Sequence, residues 1–313
     1  MQPYPRTKIA SVRALFSRSM VRRLSALVAT LLLVTVPSGE WKTGAQAPKP
    51  AEGAFLVCVM SRRDSPDRDG TLDAIALVVN SKLRQPFPEY NEAAQGKFAA
   101  QYFAAGKKYR LTFGGGEVGS ATVKGFETGC NNIHATASVE DNGKVPAHLL
   151  SIATDSPALG KKPSARRAPS DAEREAAMKL VTDIYRSHGV TAALLRTLKT
   201  TNLTATDLNG DGKFELIGSF VIETKAKARR DLLLIAEPAG TGFKAALVNF
   251  QAYKLGGEGF DSAVDFVDQL DLDGDGIAEV FVLQHGFDAY GYAIYKKTKG
   301  RWRQVYTTTG DAC

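Results

Sequence analysis

Two nine-residue stretches of this chain share one pattern. Residues 207–215 read DLNGDGKFE and residues 271–279 read DLDGDGIAE; both fit D-x-[DN]-x-D-G-x-x-E, and they start 64 residues apart. Side-chain oxygens fall at every second position: Asp207, Asn209 and Asp211 in the first copy, Asp271, Asp273 and Asp275 in the second. Gly212 and Gly276 follow where the chain must turn, and Glu215 and Glu279 close the loops. Alternating carboxylates that converge on one point, with a glycine at the bend, are how a short peptide wraps a hard divalent cation. Read instead as plain Asp/Gly turns, the loops would crowd carboxylates that repel one another.

The flanks of both loops read as strands. The first copy sits between Leu203–Thr206 and Leu216–Glu223, with Asp231–Ala236 and Phe243–Phe250 following. The second sits between Val264–Leu270 and Val280–Gln284, with Tyr290–Lys296 and Trp302–Tyr306 following. Four short strands in a unit of about 60 residues is the plan of a propeller blade. The expected fold is mainly β, built of blade-like antiparallel β repeats with an inserted helical hairpin.

An EF-hand needs an acid at loop position 12 and a helix on each side. Position 12 is Gly218 in one copy and Val282 in the other, and strands follow both. A dockerin-type loop fails in the same way. Loops that run straight into a strand resemble instead the calcium loops of FG-GAP and VCBS repeat proteins, which include the blades of integrin-type β-propellers. The resemblance covers residues 203–306 and, more weakly, 54–80. It departs from the family pattern in having Glu at the ninth position and in lacking the full Phe-Gly…Gly-Ala-Pro signature. It implies Ca2+ held by side-chain oxygens of Asp207, Asn209, Asp211 and Glu215 with the carbonyl of Lys213. In the second loop the equivalents are Asp271, Asp273, Asp275 and Glu279 with the carbonyl of Ile277. The second loop has four acids and the first three, which predicts tighter binding at the second.

Residues 48–153 form an N-terminal β-rich region. Its loop SRRDSPDRDGTLD aligns with the motif: Ser65 takes the first position, and Asp67, Asp69, Gly70 and Asp73 match Asn209, Asp211, Gly212 and Glu215. This is a degraded third copy, either a weak cation loop or only a turn. Residues 90–105 predict a helix stopped by Gly106. Gly114, Gly116 and Gly119 formally fit G-x-G-x-x-G, but an alternating strand follows where a dinucleotide site needs a helix, so a hairpin turn is expected. Residues 154–170, with three prolines and four basic residues, read as a solvated linker. Ser170-Asp171-Ala172-Glu173 is a capping box opening a helix over 171–187, with a second helix over 191–198; the hairpin spans 171–199 and the calcium-loop repeats 200–313.

The apolar run Leu24–Val36, preceded by Arg22 and Arg23, has the length of an export-signal core. Residues 1–47 are therefore expected to be a signal peptide or N-terminal anchor. Cleavage after Ala45-Gln46-Ala47, cleavage nearer Ser38, and an uncleaved anchor all stay open. The leader holds seven of the 40 basic residues and one of the 33 acidic ones, leaving 33 against 32. The basic balance thus belongs to targeting, and no nucleic-acid partner is expected. Export permits a disulfide among Cys58, Cys130 and Cys313 with one thiol over; three pairings are open.

His134, His148, His188 and His285 form no metal-protease motif, and no nucleophile elbow or phosphate loop occurs. His285 with Asp288 is the one candidate catalytic pair; otherwise no catalytic residue is assigned. The sequence reads as an exported, non-catalytic calcium-binding module that is periplasmic, cell-surface or secreted. Its partner is a protein or carbohydrate, and membrane contact is through the N-terminal segment alone. The alternative is a secreted hydrolase-like enzyme on the same framework.

Overall fold

The computed structural model describes residues 53–62, 69–80, 82–88, 91–128, 133–224, 228–254, 263–285 and 290–308. The leader, Ser65, Asp67, Cys130, Asp288 and Cys313 lie outside them. The described chain is mainly β and antiparallel throughout.

The N-terminal region contributes β1 (Phe55–Arg62), β2 (Asp69–Val79), β3 (Lys82–Arg84), β4 (Lys108–Phe113), β5 (Gly116–Thr128), β6 (Ile133–Asp141) and β7 (His148–Thr154). Six of these close on themselves in the order β1-β7-β4-β5-β6-β2, with β2 pairing back onto β1; β3 extends β2. This region is a barrel and not a further blade. Inward positions follow the two-residue period of a strand. Phe55, Val57 and Val59 point in from β1, and Ile133, Ala135, Ala137 and Val139 from β6. A narrow barrel fills its interior by pairing large side chains with small ones, here Tyr109 and Leu111 with Ala121 and Ala153. Helix α1 (Glu92–Tyr102) adds Phe98 and Ala99 to this interior, and Phe103 follows at its C-cap. The Phe98 ring meets Phe55 edge-on at 5.3 Å.

The C-terminal half contains the two meanders that the sequence predicts. β9 (Lys199–Thr206), β10 (Glu215–Glu223), β11 (Ala228–Ala239) and β12 (Gly242–Lys254) form one sheet. β13 (Ala263–Leu270), β14 (Glu279–His285), β15 (Tyr290–Thr298) and β16 (Arg301–Thr307) form the other. The first sheet gains an edge strand, β8 (Arg166–Arg167), alongside β9.

Alternation within single strands dictates how the layers stack. On β10 and β11, Leu216, Phe220, Ile222, Leu232 and Leu234 face α2 (Asp171–Ser187), which supplies Ala177, Val181 and Tyr185. Ile217, Leu233 and Ile235 face the other way and meet Val280, Val282 and Tyr295 of the second sheet. That sheet's opposite face, with Phe281, Leu283, Tyr292 and Ile294, packs on the barrel's outer wall at Leu56, Ile75 and Ile152. The order is therefore helix, first sheet, second sheet, barrel. Strands β10 and β14 are apolar on both sides because both sides are covered.

Two expectations are corrected here. The second helix of the hairpin is a single turn, α3 (Ala192–Leu195), because residues 199–206 are already strand. The stretch 154–170 is solvated only in part: Lys161, Lys162 and Arg167 are exposed, whereas Arg166 is drawn in. The guanidinium of Arg166 lies 4.5 Å from the ring centres of both Phe113 and Phe266, and its Nη1 donates to the Val267 carbonyl at 2.7 Å. Gly114, with φ +62°, makes this crossing possible: a Cβ there would stand 2.5 Å from that of Arg166.

Candidate metal centre

Both acidic loops are built alike. Each joins the first two strands of its meander, and each closing glutamate begins the second strand, Glu215 on β10 and Glu279 on β14. Asp207 accepts from the amides of Gly210 at 2.7 Å and Gly212 at 2.9 Å. Asp271 accepts from Gly274 at 2.8 Å and Gly276 at 3.1 Å. Glu215 accepts from the amide of Leu208 at 2.9 Å, and Glu279 from that of Leu272 at 2.8 Å. Gly212 and Gly276 take φ of +79° and +89°, which other residues adopt only with strain. The fifth-position acids receive the amides two residues on: Asp211 that of Lys213 and Asp275 that of Ile277. Asn209 accepts from Asp211 in the same fashion.

The two loops also touch. The Ala278 amide of the second donates to the Leu208 carbonyl of the first at 2.7 Å. Gln269, just before the second loop, donates to the Asp207 carbonyl at 3.1 Å and accepts from Thr206 at 2.5 Å. The acidic loops thus lie side by side at one end of the stacked sheets.

They differ in what they enclose. Asp271, Asp273 and Asp275 each place an oxygen within 4.8 Å of the others, and among the described residues they alone form such a group of acids. An ammonium sits against that group. Lys296 Nζ on β15 lies 2.9 Å from both Asp273 oxygens, 3.0 Å from Asp275 and 2.5 Å from Glu279. Lys162 approaches Asp271 at 3.5 Å from the exposed side. Lys296 thus places a positive charge among the oxygens of Asp273, Asp275 and Glu279.

Burial raises the Glu215 carboxyl, the Leu208 amide opposes it, and Asp207 and Asp211 add to the rise. Burial pushes Glu279 up to about 7, against the pull of Lys296 and the Leu272 amide. Burial works against the Lys296 charge as well, yet Glu279, Asp273 and Asp275 raise its pKa above the ordinary lysine value. Lys296 therefore holds its proton more tightly than Glu279 does. We take the ammonium as charged, because it also faces two aspartates.

The remaining sequence candidates sit elsewhere. Asp69 and Asp73 lie on β2 rather than in a loop. Asp69 pairs with Lys124, whereas Asp73 is fully buried against the barrel wall. Asp73 meets His134 Nδ1 at 2.5 Å and accepts from the hydroxyls of Tyr290 at 3.0 Å and Tyr292 at 2.9 Å, joining barrel to second sheet. His285 Nε2 contacts Asp265 at 3.0 Å, a cross-strand partner that the Asp288 pairing leaves out. Cys58 is buried as a free thiol, and burial raises its pKa.

Lys296 has no signal within the motif because it lies on the third strand of the meander. Alignment of the two meanders does expose it. Val280 pairs with Tyr295, so the register continued by one residue sets Lys296 opposite Glu279. The same step in the first sheet, from Leu216 and Ala236, sets Glu237 opposite Glu215. Comparison with protein families, curated proteins and solved structures finds no match.

Proposed function

We propose that this chain is an exported calcium-binding β-repeat protein of the FG-GAP/VCBS kind. Its two four-stranded sheets serve as blade-like repeats, and its role is that of a non-catalytic binding or scaffold module for a protein or carbohydrate partner. The observation that carries this reading is the pairing of the two loops. Two copies of one oxygen-rich turn, wired by matching backbone hydrogen bonds, occupy the same place in two stacked meanders and are bonded to each other through Ala278 and Leu208. A cation held there would fasten the ends of both sheets, which is a stiffening role. We assign the FG-GAP/VCBS likeness to those sheets alone; the N-terminal region closes as a separate barrel.

Calcium binding to the native state raises the melting temperature. With a Kd near 10⁻⁴ M, 1 mM calcium adds about 1.4 kcal/mol. That is a rise of about 2–4 °C for a fold of this size, reversed by chelator. Thermal melts in calcium and in chelator test it, and an unchanged midpoint at millimolar calcium would sink the reading.

A further inference from the structure

We infer that the two acidic loops are not equivalent: the ammonium of Lys296 is the resident cation of the second loop, and a divalent ion enters the first loop alone. The inference rests on the calcium reading for the first loop and deepens it.

Lys296 Nζ touches motif positions three, five and nine of the second loop, Asp273, Asp275 and Glu279, at 2.5–3.0 Å. These are the positions whose first-loop counterparts are Asn209, Asp211 and Glu215. Calcium binds oxygen at about 2.3–2.6 Å, so an ion in the second loop would claim the same oxygens and meet the ammonium at close range. The ammonium would have to leave. Three charged contacts at 2.5–3.0 Å oppose that, and the cavity of about 360 Å³ that Lys296, Asp273 and Glu279 share with Val78, Lys82, Leu83, Leu272 and Val305 offers the displaced ammonium no other carboxylate among the described residues.

Among the described residues the first sheet places no lysine at the matching position. At the matching position stands Glu237, which bonds Lys297 at 2.6 Å and the Trp302 indole at 3.0 Å. The second loop has four carboxylates against three in the first, where Lys213 stands at the seventh position of the motif. Counting carboxylates alone ranks the second loop as the tighter site; Lys296 removes that advantage by occupying three of its four acids. Two of the second loop's aspartates, Asp273 and Asp275, meet at the Lys296 ammonium, and the first loop's acids form no group of three among the described residues.

Calcium titration calorimetry on the full chain tests this. The unaltered protein should bind one ion, Asp211→Asn none, Asp275→Asn still one, and Lys296→Met two. The Lys296→Met protein should also gain a second calcium-dependent rise in melting temperature. Two ions in the unaltered protein, or loss of its single ion on Asp275→Asn, would overturn the inference and leave calcium binding intact. So would a Lys296→Met protein that folds and gains no ion. No ion in the unaltered protein but one in Lys296→Met would remove calcium from the first loop and keep Lys296 as the occupant of the second. Should Lys296→Met fail to fold, the Asp211→Asn and Asp275→Asn pair decides alone.

Discussion

Arg166 and Asp268 stand 3.7 Å apart, the carboxylate fully buried and the guanidinium nearly so, at the seam where the barrel meets the second sheet. Asp268 also accepts from the Gly114 amide at 2.7 Å and the Ser151 hydroxyl at 3.0 Å, both on the barrel side. One carboxylate on β13 thus gathers the barrel, the crossing segment and the sheet. Burial raises the Asp268 pKa and lowers that of Arg166, and each partner opposes the other's shift. Removing one member of a buried pair strands the other. Arg166→Met is expected to cost about 3–5 kcal/mol in urea unfolding, with part restored by adding Asp268→Asn.

The second tie between barrel and sheet is Asp73. Tyr292 is buried and donates to this carboxylate, and a hydrogen bond to a charged group is worth about 1.5–3 kcal/mol. Tyr292→Phe should lower stability by that amount in chemical denaturation. Tyr290→Phe, at a partly exposed hydroxyl, should cost less.

Two glycines should respond to alanine in opposite directions. At Gly114 the positive φ and the approach of Arg166 both resist a Cβ, so Gly114→Ala should cost well over about 1 kcal/mol. At Gly96, exposed within α1, an added Cβ meets nothing within 4 Å. Gly96→Ala should stabilise by about 0.5–1 kcal/mol. Thermal melts of the two variants would show the contrast.

The N-terminus of α2 carries a pH signature. A hydrogen bond from Arg167 holds the Glu173 carboxyl down to about 2, with the Ser170 amide adding to the effect. Because the folded-state value is depressed, the stabilisation is complete above about 4.5 and disappears as pH falls towards 2. Arg167→Met should therefore cost about 1 kcal/mol at neutral pH, a surface-scale figure because Arg167 is 42% exposed. The difference from the unaltered protein should vanish near pH 2. An equal deficit at both ends of the range would assign the loss to the Arg167 guanidinium stacked 4.1 Å over the Phe214 ring instead.

The sequence was most legible where periodicity and turns act locally. Both meanders could be read strand by strand, since their apolar or alternating runs are short and the acidic loops at 207–215 and 271–279 and the Gly turns at 240 and 300 punctuate them. The capping box of α2 was equally plain, because Ser170 and Glu173 lie three residues apart. The barrel was not legible. It closes through β1 with β7, a pairing of residues some hundred positions apart that no local pattern encodes. The segment around Arg166 misled for a related reason: basic residues among prolines look solvated until two distant phenylalanines are brought around one of them. Lys296 was hidden in the same way, as an ordinary charge at the end of a strand.

The closed barrel has a mechanical consequence. Strand β1 is laced along its length to β2 on one flank and to β7 on the other. Traction applied to the chain at Phe55 would load two antiparallel ladders in shear, so that many hydrogen bonds must fail together and not in succession. Peeling such a strand away demands more force than opening a free-edged sheet of the same length, and the ring gives the N-terminal side of this fold a built-in anchorage against being drawn out.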